Sequence, residues 1–311
     1  MNKLKTIGLT ALGSVLIATS AFAAELSVTG NASIIFDDTN RGKAARGNGF
    51  YMGDSIGFTG SGEMDNGWNV AVYYEIDGGA LDDHKINITM GDMGSLEFNG
   101  KGGTLALGSI DDVMPHAYEE SWDIVAGATV SNINGVSGVN SFKYTSPTTA
   151  GATLSIGYLN ASETVTDKSY SDWAIAYTPE MVEGLTIGYG QGNSEEVTGT
   201  TQDDKTMYIK YAVGPVTIGA QKSERDIVAA GDTETDAYGI TYAISDNVSV
   251  GYHESTIVKV GDTDEQKATG LSASYTVGSM TLAGAMNEVD NVAFEATDDL
   301  KGYEFTLSFA F

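Results

Sequence analysis

Few residues of this chain have the types and spacing that catalysis requires. The three histidines, His84, His116 and His253, are scattered along the sequence, and no His-Glu-x-x-His motif of a metal-dependent hydrolase occurs. Adjacent Glu119 and Glu120 could supply the two carboxylates of a glycoside hydrolase, but such a pair is usually plain surface charge. The chain has no cysteine, which excludes thiolate nucleophiles, disulfides and thiolate metal sites. The sequence therefore predicts a protein that is not an enzyme and has no cofactor.

Acidic residues dominate the charge of the chain. The 311 residues include 42 Asp and Glu against 16 Lys and Arg, which gives a net charge of −26. Such a chain lacks the basic face that binding to phosphates needs, so ordinary nucleic-acid binding is excluded. Acidic pairs such as Asp111-Asp112 and Asp262 with Asp264 offer oxygen ligands for Ca²⁺, although neither fits an EF-hand loop. Bound Ca²⁺ at the acidic loops is an alternative that the sequence leaves open.

Residues 1–23 have the pattern of a secretory signal peptide. Two lysines precede an apolar run from Ile7 to Ile17, and Ala21-Phe22-Ala23 supplies a small-residue cleavage site. The apolar run is too short for a membrane anchor helix, which needs about 20 apolar residues. We expect cleavage after Ala23, export from the cytoplasm and a mature chain of residues 24–311.

The rest of the chain alternates between apolar and polar or small residues, which is typical of strands with two different faces. The clearest case is the last stretch, in which large apolar residues occupy every second position from Tyr303 to Phe311. The alternation predicts sixteen strands, near 25–36, 53–63, 67–77, 94–100, 103–109, 139–146, 151–160, 170–179, 184–193, 205–213, 215–223, 235–244, 247–255, 268–277, 279–289 and 300–311.

The links between these predicted strands alternate in length. Short links rich in turn-forming residues separate long acidic links, of which 37–52, 78–93 and 110–138 are the longest. Short turns on one rim and long loops on the other are typical of an up-and-down barrel in an outer membrane. A barrel of this many strands is too wide to be filled by side chains, so we expect a wet lumen and an apolar outer face. The alternative is a soluble extracellular β-sandwich or a solenoid adhesin, which would bury its apolar face.

Several segments follow one another in a distinctive order. They are Glu25-Leu26-Ser27-Val28-Thr29-Gly30, then Gly103-Thr104-Leu105-Ala106-Leu107-Gly108, a long loop, Asn140-Ser141-Phe142-Lys143-Tyr144-Thr145-Ser146-Pro147, and the terminal Phe311. In this order, residues 24–311 as a whole resemble the sixteen-stranded general diffusion porins of Gram-negative outer membranes, especially the alphaproteobacterial type. The resemblance implies an all-β protein, a transmembrane antiparallel up-and-down β-barrel whose long third loop folds into the lumen.

The resemblance also implies partners and a function. We expect a homotrimer in the outer membrane, in contact with lipid and lipopolysaccharide, that lets small hydrophilic solutes and ions diffuse passively through a water-filled channel. The alternating last strand, with Tyr303, Phe309 and Phe311, resembles the signal that the outer-membrane assembly machinery reads. A structural or adhesive surface protein without a channel is the alternative function.

The link 110–138 matches the family's third loop in position, so the resemblance places it at the pore constriction. It contains no basic residue and five acidic ones: Asp111, Asp112, Glu119, Glu120 and Asp123. A solvated loop that lies outside the barrel is the alternative. Because carboxylates that line a pore favour cations, we expect a cation-preferring channel.

The pore wall is predicted to contain few bases. The three arginines, Arg41, Arg46 and Arg225, all fall in predicted long loops. By the alternation of strand faces, two lysines and two glutamates face the lumen: Lys143, Lys210, Glu75 and Glu97. In the family, a cluster of basic residues usually faces the acidic loop, and this chain departs from that pattern.

Overall fold

The computed structural model describes residues 25–39, 49–101, 106–110, 140–160, 169–194, 201–228, 231–296 and 299–311. Within these ranges the chain forms sixteen antiparallel strands that close into one barrel. The strands are β1 (Glu25–Thr39), β2 (Phe50–Glu63), β3 (Asn69–Asp77), β4 (Ala80–Thr89), β5 (Ser95–Lys101), β6 (Ser141–Thr145), β7 (Ala152–Leu159), β8 (Tyr170–Tyr177), β9 (Leu185–Ser194), β10 (Gln202–Val213), β11 (Val216–Ile227), β12 (Thr233–Ser245), β13 (Val248–Lys259), β14 (Gln266–Val277), β15 (Met280–Asp290) and β16 (Leu300–Ala310). In the described part of the chain, no helix is long and apolar enough to cross a membrane.

Each strand pairs with the strands before and after it in the sequence, and β1 also pairs with β16. This closing pair runs from Asn31 opposite Ala310 to Thr39 opposite Gly302 and leaves the sheet without an edge. Because a membrane interior offers no water to unpaired backbone groups, a sheet can span it only as a closed barrel. The architecture confirms the predicted up-and-down barrel of sixteen strands, with β1 beginning and β16 ending at the same rim.

The number of strands is right, but one strand was missed and one predicted strand is wrong. β4 lies within 78–93, which the sequence predicts as a long acidic loop. Residues 106–110 belong to no strand, although the predicted strand 103–109 overlaps them. The missed strand and the false strand leave the total at sixteen. The link between β3 and β4, predicted to be long, is a two-residue turn.

The missed strand has a simple cause. Gly78 and Gly79 have φ angles of 54° and 83° and form a tight hairpin turn that starts β4 at Ala80. The following residues, Asp82-Asp83-His84-Lys85, are polar on both faces of the strand, so they lack the alternation that marks a strand in sequence. The wrongly predicted strand does alternate, but its Leu107 packs inside the barrel instead of facing lipid.

Alternation along each strand separates an apolar outer face from a polar inner face. On β12, Tyr238 is 55% exposed, whereas the adjacent Ala237 is fully buried. On β14, Leu271 is 57% exposed, whereas Ser272 is buried. The exposed apolar side chains form the surface that meets lipid, as expected for a barrel in a membrane.

The last residue completes the seam between β1 and β16. The backbone amides of Gly30 and Phe311 each donate a hydrogen bond to the other residue's carbonyl oxygen, at 2.6 and 2.9 Å. On the outer face the Phe311 ring lies over Gly30, where an added side-chain carbon would overlap it. Gly30 therefore provides the space for the terminal ring, and the ring covers backbone that a glycine otherwise exposes.

Replacing Gly30 by valine should weaken barrel closure, because the new side chain takes the place of the Phe311 ring. Overpacking of this kind costs about 1–3 kcal/mol. We expect a lower urea midpoint, measured as loss of the heat-modifiable folded band in cold SDS gels. Gly60→Val is the matched control, since a side-chain carbon at Gly60 of β2 would meet no described atom within 4 Å. Equal midpoints for the two variants would contradict this role of Gly30.

Candidate functional site

The chain that leaves β5 turns into the barrel. Residues 106–110, here named the loop base, lie against the inner wall at β8, β9, β11 and β12. Leu107 packs with Ala174 of β8, and the fully buried Ile110 packs with Ala237 and Tyr208. This confirms that the third loop enters the lumen.

Two side chains of the wall hold the loop base by hydrogen bonds. Oδ2 of Asp172 on β8 accepts hydrogen bonds from the backbone N–H groups of Ala106 and Leu107, at 2.8 and 3.2 Å. Oε1 of Gln221 on β11 accepts one from the N–H of Ile110 at 2.9 Å. Buried N–H groups without such acceptors would destabilise the loop base. Sequence reasoning missed both acceptors, because the alternation of faces does not show which part of the chain covers a wall position.

Two glycines of β9, Gly188 and Gly190, lie in the wall under the loop base. A side-chain carbon at Gly190 of β9 would collide with Leu107 and with the backbone of β8. The Tyr208 ring of β10 lies across Gly188 and contacts Gly108 of the loop base. Larger residues at Gly188 and Gly190 would displace the tyrosine and the loop base, so these glycines permit the close approach.

Charged side chains form a row along the inner wall on both sides of Asp172. In an antiparallel sheet, residues that face each other on neighbouring strands lie side by side. The row, here named the charged row, passes through two glycines in the order Glu97, Lys143, Gly157, Asp172, Gly192, Asp204 and Arg225. The loop base therefore meets the wall at a carboxylate that has basic residues further along the row in both directions.

The best-connected ion pair of the charged row joins Arg225 to Asp204. Nε and Nη2 of the guanidinium donate to Oδ1 and Oδ2 of the carboxylate at 2.7 and 3.0 Å, and the side chain of Asp204 is fully buried. The Tyr170 hydroxyl and Nε2 of Gln202 also donate to Oδ2, at 2.8 and 2.9 Å. This set of donors is what makes a buried carboxylate tolerable inside the barrel.

The prediction that Arg225 lies in a long loop is wrong, because β11 continues to Ile227. Residues 223–226 near the end of β11 are polar on both faces of the strand, so they resemble a loop in sequence. Lys85 was missed for the same reason. It lies on β4 with its Nζ 5.0 Å from the centre of the Tyr73 ring and 3.5 Å from Oδ2 of Asp83. The wall therefore contains more bases than the alternation of faces predicts.

The four predicted wall residues occupy inner positions of their strands. Nζ of Lys143 lies 3.6 Å from Oε1 of Glu97. Glu75 accepts a hydrogen bond from a tyrosine hydroxyl at 2.9 Å, and Nζ of Lys210 lies 5.7 Å from the centre of the Tyr208 ring. The predicted constriction residues fall outside the described residues, and their place in the pore stays a prediction: Asp111, Asp112, Glu119, Glu120 and Asp123.

The Ca²⁺ alternative also stays a prediction. Asp262 lies 3.1 Å from Nζ of Lys259, and Asp264 accepts a hydrogen bond from Thr263. Within the described ranges, no three His, Asp or Glu side chains converge on one point.

Comparison with known proteins agrees with this architecture. A family model described as Gram-negative porin matches residues 8–293. The chain belongs to the Gram-negative porin family. No curated protein sequence matches this porin significantly.

Several solved structures share the fold. An anion-selective porin from Comamonas acidovorans superimposes with a TM-score of 0.68 and 14% identity, covering 93% of this chain and 100% of its own. OmpF of Salmonella typhi in complex with daunomycin has a TM-score of 0.71 and 13% identity, covering 93% and 98%. A trimer form of OmpT from Vibrio cholerae has a TM-score of 0.66 and 12% identity, covering 93% and 100%. At such low identity, these likenesses show the fold alone.

Family and fold together establish the general function. This porin forms a channel in the Gram-negative outer membrane and is not an enzyme. The alternative of a surface protein without a channel is therefore set aside. The loop base and the charged row lie inside that channel, on its inner wall.

Removing the guanidinium of Arg225 should strongly destabilise the barrel, because the carboxylate of Asp204 stays buried without its counter-charge. Breaking a buried pair in this way costs about 3–5 kcal/mol. Lys222→Ala on the outer face of the same strand breaks an exposed pair with Glu234 and should cost under about 1 kcal/mol. Urea unfolding in detergent, followed by the heat-modifiable band, measures both variants. If the Arg225→Ala and Lys222→Ala barrels are equally stable in urea, the pair of Arg225 with Asp204 contributes nothing to the stability of the barrel.

Proposed function

We propose that this porin is a cation-preferring diffusion channel for small hydrophilic solutes. The pairing of the wall bases is the observation that supports the proposal. Three of them are each close to a carboxylate: Lys85 to Asp83, Lys143 to Glu97, and Arg225 to Asp204. Bases neutralised in this way attract chloride weakly. They also leave the acidic residues of the third loop without the strong basic counterpart that is usual in the family.

The acidic residues of the third loop then dominate the field in the lumen. Two unit charges at ~4 Å interact by about 1–4 kcal/mol for effective dielectrics between 80 and 20. Several partly desolvated carboxylates can therefore shift the preference between K⁺ and Cl⁻ by roughly tenfold. Passive diffusion of neutral hydrophilic solutes needs no further site, cofactor or energy input, because solutes follow their concentration gradient.

The ion preference can be measured in a planar bilayer with a KCl gradient. The wild type should show a cation-selective reversal potential that shrinks at high salt, because salt screens the field over about 8–10 Å. Replacing the five loop acids by Asn or Gln should move the reversal potential toward zero: Asp111, Asp112, Glu119, Glu120 and Asp123.

A matched control removes the same number of charges from the outer face of β10, β11 and β12. The residues are Asp203, Glu224, Asp226, Glu234 and Asp236, which face outward in the strand register. This control should leave the reversal potential unchanged. A wild-type channel that prefers chloride, or loop variants that behave like the control, would contradict the proposed preference.

Processing and assembly belong to the same proposal. Residues 1–23 act as a signal peptide cleaved after Ala23, and residues 24–311 form the porin. The apolar outer face supports a homotrimer, because barrels packed wall against wall bury surface that otherwise meets lipid and lipopolysaccharide. The trimer form of OmpT from Vibrio cholerae has the same fold and is consistent with this assembly.

The last strand has the features of a signal for the assembly machinery. Tyr303, Phe309 and Phe311 share the outer face of β16, and Phe305 between them is 53% exposed. The stripe is therefore accessible for recognition until the barrel is closed and inserted.

A charge at Phe311 should reduce insertion in cells much more than refolding in detergent, because only cells use the assembly machinery. Val277→Asp is the matched control, since Val277 ends β14 at the same rim and also faces outward. A charge at this depth costs only about 0–1 kcal/mol in membrane stability. We expect Phe311→Asp to lower the amount of folded trimer in isolated outer membranes, while Val277→Asp stays near the wild-type level. Equal amounts of the two variants would argue against a signal at Phe311.

A further inference from the structure

We infer that Asp172 is a positioning residue of the channel: its carboxylate fixes the loop base to the lumen wall, with Gln221 as a second anchor. The two anchors hold the third loop where it enters the barrel and thereby set the free cross-section and the steadiness of the pore at this level. The inference rests on the channel function of the family and not on the proposed ion preference.

The surroundings of Asp172 indicate a dedicated role. The residue is only 3% exposed, and the hydrogen bonds of its strand are made by backbone groups, so the barrel itself does not need a carboxylate here. Oδ2 accepts both amide hydrogen bonds from the loop base, while Oδ1 has no hydrogen-bond partner among the described residues. Burying a carboxylate is costly unless strong hydrogen bonds offset the loss of water. The observed bonds that do so come from Ala106 and Leu107.

The second anchor determines the direction of the loop base. Gln221 lies on β11, three strands beyond β8, which corresponds to about 14 Å at the usual strand spacing. The four steps along the backbone from Ala106 to Ile110 can span at most about 14 Å when extended. The loop base must therefore run along the wall, and the space left by Gly188 and Gly190 allows it to lie close.

Gln221 is itself held in place by the wall. Its Nε2 donates to Oγ1 of Thr206 at 2.9 Å and to Oγ of Ser223 at 3.0 Å, which aims Oε1 at the amide of Ile110. Gln221 is therefore preorganised by the barrel. Loss of either should free one end of the loop base without removing any backbone hydrogen bond of the sheet.

The first experiment compares Asp172→Ala with Asp172→Asn in planar bilayers and in liposome-swelling assays. A single oxygen accepts both amide bonds, so the carbonyl oxygen of an asparagine can replace it, whereas alanine cannot. Loss of a charge-assisted hydrogen bond changes an equilibrium constant by about tenfold. Alanine should therefore raise the fraction of channels with a detached loop base by about that factor. We expect Asp172→Ala to increase open-channel current noise and the flux of a neutral disaccharide, with Asp172→Asn close to wild type. Both variants lose one charge and should shift the reversal potential equally.

The second experiment uses Gln221→Ala, which leaves the charge unchanged. It should increase noise and disaccharide flux without moving the reversal potential. Asp203→Ala, on the outer face of β10, is the control and should change neither noise nor flux. The heat-modifiable band verifies that each barrel is folded, and Gln221→Ala decides the question if Asp172→Ala does not fold.

Two results would overturn the inference. One is unchanged noise and flux in folded Gln221→Ala. The other is identical behaviour of Asp172→Ala and Asp172→Asn in every measurement, which would make Asp172 a plain wall charge. A wild-type protein without conductance would instead contradict the channel function, and a chloride-preferring wild type would contradict only the proposed selectivity.

Discussion

The closing of β1 on β16 is the constraint on which the rest of this structure depends. In lipid, an unpaired backbone N–H or C=O has no water to bind, so the sheet must have no edge. Closure fixes an even number of antiparallel strands, brings both ends of the sheet to one rim and sends every second side chain outward. The contact of Phe311 with Gly30 lies at the end of this seam, where the last backbone pair would otherwise be exposed.

The same closure creates a problem inside the barrel. The ring is too wide for its inward side chains to fill, so the lumen must be narrowed by another part of the chain. The loop base lies against the inner wall of this lumen, where its backbone amides have lost their water. Asp172 and Gln221 supply acceptors at the wall, and glycines of β9 remove the side chains that would keep the loop base away. The lumen therefore combines buried carboxylates with small residues, a composition that a soluble core would not tolerate.

The difference between the lipid-facing wall and the lumen explains why solved porins share this fold at low sequence identity. Solved porins share nearly the whole fold with this chain at 12–14% identity, because many different residues satisfy an apolar-outside, polar-inside alternation. Ion preference depends on a few charges in the lumen and not on that alternation. For this reason the fold follows from the comparisons, whereas the selectivity must come from the charges of this chain, such as Lys143 beside Glu97 and Arg225 beside Asp204.

The alternation of side-chain types is enough to predict the barrel and the two faces of most strands, whereas the count of sixteen is right because one missed strand offsets one false strand. The alternation from Tyr303 to Phe311 predicts β16, because every second side chain of a membrane-spanning strand faces lipid and is apolar. Where the alternation is absent or misleading, only the tertiary structure shows which residues belong to the wall. Residues 82–85 of β4 and residues 223–226 of β11 are polar on both faces of their strands, so Lys85 and Arg225 resembled loop residues until the register placed them on the wall. Leu107 alternates like a strand residue but packs inside the lumen. A period of two shows that a residue faces something apolar; whether that partner is lipid or the inner wall depends on contacts with residues far away in the sequence, such as Asp172 and Gln221.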